Sequence, residues 1–366
     1  MFPAFSRPPA SRLAGRLRVL PRALANCFMH LRPRERATAP RRILVAQHLL
    51  AGDVLMLTPL LAKLRERHAE AEIVLAARRA VAPLYSGRPY GVRAQVYEPR
   101  ETATLDAFLD GPGFDLAFVP GDNRYSWLAA AAGARWIVAF SGDRPAAKNW
   151  PVDELRPFPS APAAWGDMAA ELAEGPPPRA YHPADWPEPA FTPFDMPAGS
   201  YAVLHVEAST PVKYWNDAGW LYLADSLRKN GIEPVWSAGP GGAALLRRID
   251  PASRFPGLGH KLDLAQLWHL VAGAALLVCP DTSVMHIGRL TGTPTLALFG
   301  PSPSQLYGAG DFWRSVPFRA LQIADLPVRD RLRLFKREIA WPLQGAKAAG
   351  AEEVARAALD CARHAL

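Results

Sequence analysis

The 366-residue chain lacks any run of about 18 uninterrupted apolar residues, the length a membrane-crossing helix needs. It has little cysteine: Cys27, Cys279 and Cys361 are far apart and odd in number. That excludes a disulfide framework and a zinc pattern, and it fits a reducing cytosol. No segment matches a Walker loop or a G-x-G-x-x-G fingerprint, which excludes the commonest phosphate cradles. No Asp-x-Asp pair stands beside a predicted strand end to hold a divalent cation. Net charge is also missing from most of the chain. Residues 1–42 hold ten arginines against Glu35 alone, +9 of a total of +8, so the remainder carries −1. A near-neutral body is not that of a nucleic-acid binder.

What is present begins with that basic leader. Leu13, Leu17, Leu20, Leu24, Phe28 and Leu31 recur at three- and four-residue steps, which predicts one helical face. Pro21 is expected to break or kink the helix, or to start a second one. Residues 1–40 therefore read as a basic amphipathic leader attracted to an anionic membrane surface, or as an extension docked on the core through its leucines. A transit peptide has the same Arg-rich, acid-poor look. An export signal would need a continuous apolar stretch that is absent.

From residue 41 short apolar runs alternate with amphipathic helices, the mark of parallel βαβ units. Strands are expected at Ile43–Ala46, Ile73–Ala76, Leu116–Val119 and Trp136–Ala139, with helices over 53–67 and 123–132. Between Glu174 and Ser200 eight prolines forbid regular structure, so 174–200 reads as a linker. A second series follows. Strands are expected at Tyr201–Val206, Ile232–Ser237, Ala275–Cys279 and Thr295–Phe299, and helices near 216–230, 263–271 and 282–291. The expected architecture is α/β: two doubly wound, Rossmann-like domains, 41–173 and 201–345, facing a cleft. The last helix, within 346–366, has no evident partner in its own domain and is expected to cross back onto the first. Ligands of such folds bind beyond the carboxyl ends of the strands.

Three segments that follow strands carry chemistry. In Gly52-Asp53-Val54 the glycine permits a sharp turn, and Asp53 is either a helix N-cap or a catalytic acid–base group. In Ser209-Thr210-Pro211-Val212-Lys213-Tyr214-Trp215, Lys213 is a point charge suited to phosphate and the hydroxyls add donors; a solvated capping loop is the plainer reading. In Asp281-Thr282-Ser283-Val284-Met285-His286, small residues open a helix whose free amides suit an anion, Asp281 is expected as N-cap, and His286 looks back one turn later. Arg78, Arg79 and Arg124 each follow a predicted strand and are candidates for gripping an anionic acceptor, or are solvated surface arginines.

Taken together and in order, these pieces resemble glycosyltransferase family 9, the ADP-heptose:lipopolysaccharide heptosyltransferases. The matching residues are Ile43-Leu44-Val45, Gly52-Asp53-Val54, Thr58-Pro59-Leu60, Ser209 with Lys213-Tyr214-Trp215, and Asp281 to His286 continuing into Gly292-Thr293-Pro294-Thr295-Leu296-Ala297-Leu298-Phe299-Gly300-Pro301. The likeness spans about residues 41–310. It implies a GT-B fold and inverting, metal-independent transfer of heptose or a related sugar, with no cofactor beyond the nucleotide-sugar donor. The implied acceptor is a lipopolysaccharide core or other surface glycan, lipid-linked, at the cytoplasmic face of the membrane.

Asp53 then matches the general base; Ser209, Thr210 and Lys213 match the donor-phosphate contacts; Asp281, Thr282, Ser283 and His286 match the donor-binding turn. Three departures stand out. Val206-Glu207 replace a Pro-Gly pair, so either the acid turns away from the diphosphate or the donor sits differently. The turn Gly239-Pro240-Gly241-Gly242-Ala243 lacks a glutamate near the base or ribose, and Ser283 replaces a glycine. Another nucleotide sugar, a protein acceptor, or a catalytically silent scaffold on the same fold are the competing readings.

Overall fold

The computed structural model describes residues 12–29, 35–258, 261–334 and 337–363. After the leader helix α1 (Arg12–Met29), the first domain runs β1 (Arg42–Val45), α2 (Ala51–Leu55), α3 (Thr58–Arg67), β2 (Glu72–Ala77), β3 (Val92–Val96) and α4 (Thr102–Leu109). It continues through β4 (Leu116–Val119), α5 (Ser126–Ala131), β5 (Ile137–Phe140), β6 (Glu154–Arg156) and α6 (Trp165–Ala170). The second comprises β7 (Tyr201–His205), α7 (Asp217–Lys229), β8 (Glu233–Ser237), α8 (Ala243–Ile249), α9 (Leu264–Ala272), β9 (Leu276–Pro280) and α10 (Ser283–Thr291). Then come β10 (Thr295–Phe299), α11 (Ser304–Tyr307), β11 (Phe318–Gln322), the pair β12 (Arg329–Leu334) and β13 (Arg337–Leu343), and α12 (Ala351–Arg363).

Both main sheets are parallel, in the orders β3-β2-β1-β4-β5-β6 and β11-β10-β9-β7-β8. Each order reverses direction once, between β1 and β4 in the first and between β7 and β9 in the second. A doubly wound sheet opens its ligand crevice at such a reversal. One apolar core joins the helix layers between the sheets, from Ile43, Val54 and Trp165 to Leu277, Met285 and Phe299. The outer faces are covered by α4 and α5 on one side and by α7 and α12 on the other.

Several expectations change. Pro21 lies inside one continuous 18-residue helix. Its ring is exposed, and the Leu17 carbonyl it deprives of a partner is on the solvent side, where water can serve. The leader docks through a face of smaller residues: Gly15, Val19, Ala23 and Cys27 meet α4 and α5, and Asn26 Nδ2 donates to the Ala130 carbonyl at 2.8 Å. Leu13, Leu17 and Leu20 remain 63%, 64% and 42% exposed. Phe28 and Leu31 lie outside the residues whose side chains are described. The expected helix 53–67 is two helices, because Pro59 cannot donate to the Leu55 carbonyl; Thr58 Oγ1 takes that carbonyl instead at 2.6 Å.

The proline-rich stretch is irregular except for the short 3-10 helix Pro183–Asp185, which the prolines were not expected to allow, and it binds both domains. Trp186 Nε1 donates to the Leu84 carbonyl at 3.1 Å, and the Tyr181 hydroxyl donates to the Leu290 carbonyl at 2.6 Å. The final helix does not cross back. Val354, Ala358 and Ala362 pack with Trp220 and Leu227 of α7, inside the second domain. The crossing element is the β12–β13 hairpin, whose alternating Arg and apolar residues escaped the strand pattern.

Arg337 of that hairpin is buried in the first domain. It donates to the carbonyls of Ser141 (2.8 Å), Gly121 (3.1 Å) and Phe140 (3.1 Å), and to Asn123 Oδ1 (3.0 Å). The guanidinium also lies 5.2 Å from the Phe158 ring centroid. Replacing it with methionine keeps bulk but strands these acceptors. Arg337→Met is expected to cost about 2–4 kcal/mol in a urea unfolding titration; an unchanged midpoint would show that the clasp contributes nothing.

Candidate functional site

The two crevices face each other where α2 meets α10. Gly52 lies inside α2 and not at a left-handed turn, so its role differs from the one expected. A Cβ there would stand 3.3 Å from His286 Cδ2 and 3.5 Å from the Ser283 Cα, so glycine lets the two helices approach. Asp53, the next residue, is in the first turn of α2 and does not cap it: the N-cap is Leu50, without a side-chain hydrogen bond. Burial pushes the Asp53 carboxyl up to about 6, and the Asp281 carboxylate adds to the rise, while Lys213 and Arg78 oppose it.

Asp281 follows β9 directly, and the N-cap of α10 is Thr282, not Asp281 as expected. The reason is a stronger partner. Lys213, in the turn Pro211–Lys213, donates its Nζ to Asp281 Oδ2 at 2.6 Å. A charge-assisted bond of that length exceeds what a cap offers. Ser209 is exposed and Thr210 half-buried beside this turn. Thr282 and Ser283 are half-buried at the start of α10, where the first amides have no helical partner.

His286 is buried, with its proton-binding tendency driven well below the ordinary range by burial and then by the Arg289 and Lys213 charges. Arg289 Nη2 donates to His286 Nδ1. Arginine cannot accept, so Nδ1 is the acceptor and the ring proton sits on Nε2, which faces Gly52. Arg289 itself was not foreseen. It is buried, donates to the Gly308 carbonyl at 2.8 Å, and lies 5.2 Å and 5.1 Å from the Trp313 and Phe318 ring centroids. Burial lowers it to about 9, against the pull of Asp167 and Asp281. The available signal was a cation at a position of α10 that the helical period assigns to the core.

Tyr307 was also missed. It ends α11, held there by Arg289, and burial raises its hydroxyl to about 12 with help from the charges of Asp53 and Asp281. It is thus a protonated donor within the electrostatic reach of both carboxylates, at the end of a four-residue helix with no local pattern to single it out. Of the three arginines, Arg78 braces the loop before α2, donating to the carbonyls of Leu49 (2.7 Å) and His48 (3.4 Å). Arg79 pairs with Glu101 in solvent, and the exposed Arg124 pairs at 2.8 Å with Asp122, a largely buried carboxylate that Lys148 also binds at 2.8 Å. The constellation therefore unites Asp53, Arg78, Lys213, Asp281, His286 and Tyr307, whereas Arg79 and Arg124 are held by acids of the first domain.

Such a site offers one weakly acidic carboxyl, one lysine, free helix amides and a tyrosine hydroxyl. That set can take a proton from a hydroxyl group and hold an anionic phosphate. Among the described residues no group of three or more His, Cys, Asp or Glu side chains is arranged to hold a metal.

The model of glycosyltransferase family 9 (heptosyltransferase) matches residues 116–315, more than half of the chain. Lipopolysaccharide heptosyltransferase 3 of Escherichia coli is 27% identical over 142 residues, 36% of this chain and 40% of that protein. Lipopolysaccharide heptosyltransferase 1 of Pseudomonas aeruginosa is 30% identical over 118 residues, 31% of this chain and 32% of that protein. The aligned stretches thus span less than half the length of these curated relatives. The solved structure of ADP-heptose lps heptosyltransferase II from E. coli superimposes with a TM-score of 0.66 at 17% identity, covering 89% of this chain and 99% of that one. At that identity the likeness is one of fold, and the fold is GT-B.

Proposed function

The chain belongs to glycosyltransferase family 9, and from that premise we propose that it transfers heptose, or a closely related sugar, from ADP-heptose to a lipopolysaccharide-core or other surface-glycan acceptor. The observation that supports this most strongly is a carboxyl raised to about 6 on one domain opposite a lysine and a helix N-terminus on the other. A base of that strength is ionised near neutrality and still basic enough to matter. On this reading Asp53 takes the proton of the acceptor hydroxyl as its oxygen attacks the anomeric carbon. The nucleoside diphosphate leaves from the opposite face, so the configuration inverts.

Charge gathering on the leaving phosphate is met by Lys213 and the amides at Thr282 and Ser283, with Ser209 and Thr210 as further donors and no metal ion. Asp281 holds Lys213 before the donor arrives, and neutral His286 supports α10 from behind. Arg78, Arg79 and Arg124 form the acceptor side; the acids paired with the last two give way to a phosphorylated acceptor. Burial that pushes the Asp53 carboxyl up to about 6 argues against a silent scaffold, which has no need of a perturbed base. The absence of an acid at Ala243 favours keeping a second donor nucleotide, such as UDP, in view.

We further propose that the leader seats the enzyme on the inner face of the cytoplasmic membrane, where a lipid-linked acceptor and a cytosolic donor meet. Leu17 and Leu20 form a solvent-facing ridge beside exposed Arg16, while Arg18 and Arg22 bind Asp106 and Asp110. On α5, which α1 packs against, Trp127 lies 5.7 Å from the ring of Trp150, itself 61% exposed. Leucine and tryptophan beside arginines suit an anionic bilayer surface.

Asp53→Asn preserves shape but cannot accept the proton. It is expected to lower turnover at least ~100-fold with nearly unchanged donor affinity, while the unaltered enzyme works in excess EDTA. Near-normal turnover in the variant would remove Asp53 from the chemistry, and chelator sensitivity reversed by magnesium would overturn the metal-free route. For the leader, Leu17→Asp combined with Leu20→Asp is expected to abolish co-sedimentation with phosphatidylglycerol vesicles and leave turnover on a water-soluble acceptor intact. An unaltered protein that ignores such vesicles at low salt contradicts the membrane placement.

A further inference from the structure

The first domain has a second opening, at the end of its sheet away from Asp53. Arg42 begins β1, Arg93 lies near the start of β3, and Pro112 and Phe114 stand just before β4, so the opening is at the amino ends of the strands. The cleft there has a volume of about 410 Å³ and is walled further by Gln95 and by Ala107 of α4. Two cations share one acid in its wall. Glu72 Oε2 accepts from Arg42 Nε at 2.7 Å, and Oε1 accepts from Arg93 Nε at 2.9 Å. Arg42 Nη1 is taken by the carbonyls of Pro112 and Gly113, the latter at 2.8 Å, and Cζ lies 4.6 Å from the Phe114 ring centroid. Arg93 Nη1 donates to Gln95 Oε1 at 2.9 Å.

These bonds hold both guanidinium groups in place without using them up. Each Nη2, and both N–H donors of the Gln95 amide, are left without a hydrogen bond among the described residues. Two cations around one carboxylate also leave one positive charge in excess. Asp115 beside Phe114 pairs with Arg135 at 3.7 Å and does not cancel it. One spare charge, fixed planar donors and an aromatic wall suit a monoanion that carries an apolar body. A phosphodiester is such a monoanion, with two unesterified oxygens for two donors.

The place in the fold says where such a body comes from. The leader helix α1 packs on the same outer face of the first sheet, its Arg18 and Arg22 binding Asp106 and Asp110 of the α4 flank. Ala107, the next position after Asp106, lines the cleft, so α4 stands between the leader and the opening. A single leucine ridge would let the molecule roll about the axis of α1; a second contact across α4 stops the roll.

We propose that this cleft binds the headgroup of an anionic phospholipid, its phosphodiester oxygens accepting from Arg42 and Arg93 and the glycerol end of its acyl chains lying along Phe114 and Ala107. This rests on the membrane placement of the leader and extends it to a second, chemically defined contact. Together the two contacts give the transferase cleft one orientation to the bilayer.

Calorimetric titration of the full-length chain with dihexanoyl-phosphatidylglycerol, below its micelle concentration, tests the site apart from any bilayer. Saturable binding is expected, at least ~10-fold tighter than that of inorganic phosphate, which lacks the apolar body. Arg93→Gln, at a partly exposed position of the edge strand, is expected to weaken the lipid about 5–10-fold. Ala107→Trp, at an exposed position, keeps both arginines and fills the cleft, and should weaken the lipid at least as much. Inorganic phosphate binding as tightly as the lipid would overturn the headgroup assignment in favour of a free-anion site. Lipid affinity unchanged in both variants would place the lipid elsewhere and overturn it too. Co-sedimentation with phosphatidylglycerol vesicles separates this proposal from the reading it rests on. An unaltered chain that binds the vesicles but not the short-chain lipid contradicts the headgroup site and leaves the leader's placement standing; one that binds neither contradicts both.

Discussion

The approach of α2 to α10 at Gly52 is the contact on which the site depends. A side chain at that position would press on His286 and Ser283, so the absence of one sets how near the two domains come. The same approach buries Asp53, turns it toward Asp281, and changes an ordinary carboxyl into one that titrates at about 6. Desolvation is the largest cause of that shift, and it exists because the domains share a core instead of meeting through solvent. The raised carboxyl on one domain is therefore a consequence of packing against the other.

A second layer keeps that approach in register. Arg289 anchors α11 from inside α10, and so fixes Tyr307 near both carboxylates. Arg337 reaches from the hairpin into the carboxyl ends of β4 and β5, beside the first reversal point. The proline-rich stretch ties Leu84 to Trp186 and Leu290 to Tyr181. Each tie spends buried polar groups on main-chain acceptors, which fixes geometry with little freedom to slide. A GT-B cleft built this way holds Asp53 and the Lys213–Asp281 pair in fixed positions.

Much of this was legible in the residues. Leu116–Val119 and Thr295–Phe299 stand where their apolar runs predict, because fully buried parallel strands are nearly continuous in hydrophobicity. Asp53, Lys213 and Asp281 were singled out by strand-to-helix junctions, and they do converge. Their local roles were misjudged where tertiary contact outweighed a local rule: Asp281 binds Lys213 in place of capping α10, and Gly52 serves closeness instead of a turn. The hairpin and the fate of α12 were invisible for another reason. Arg329–Leu334 reads as a charged surface stretch, and only the acceptors in the other domain make a buried Arg337 favourable. The leader misled by symmetry: both of its faces are apolar enough to dock, and the smaller residues pack closer.

The central claim is that domain packing makes Asp53 a base near neutrality, and its titration tests that most directly. Carbon-13 carboxyl NMR of the labelled chain follows the group through pH, with Asp53→Asn identifying the resonance. The account predicts a midpoint near 6 that moves down in Asp281→Asn, since the second carboxylate helps to raise it. A midpoint near about 4, indifferent to Asp281→Asn, would contradict it.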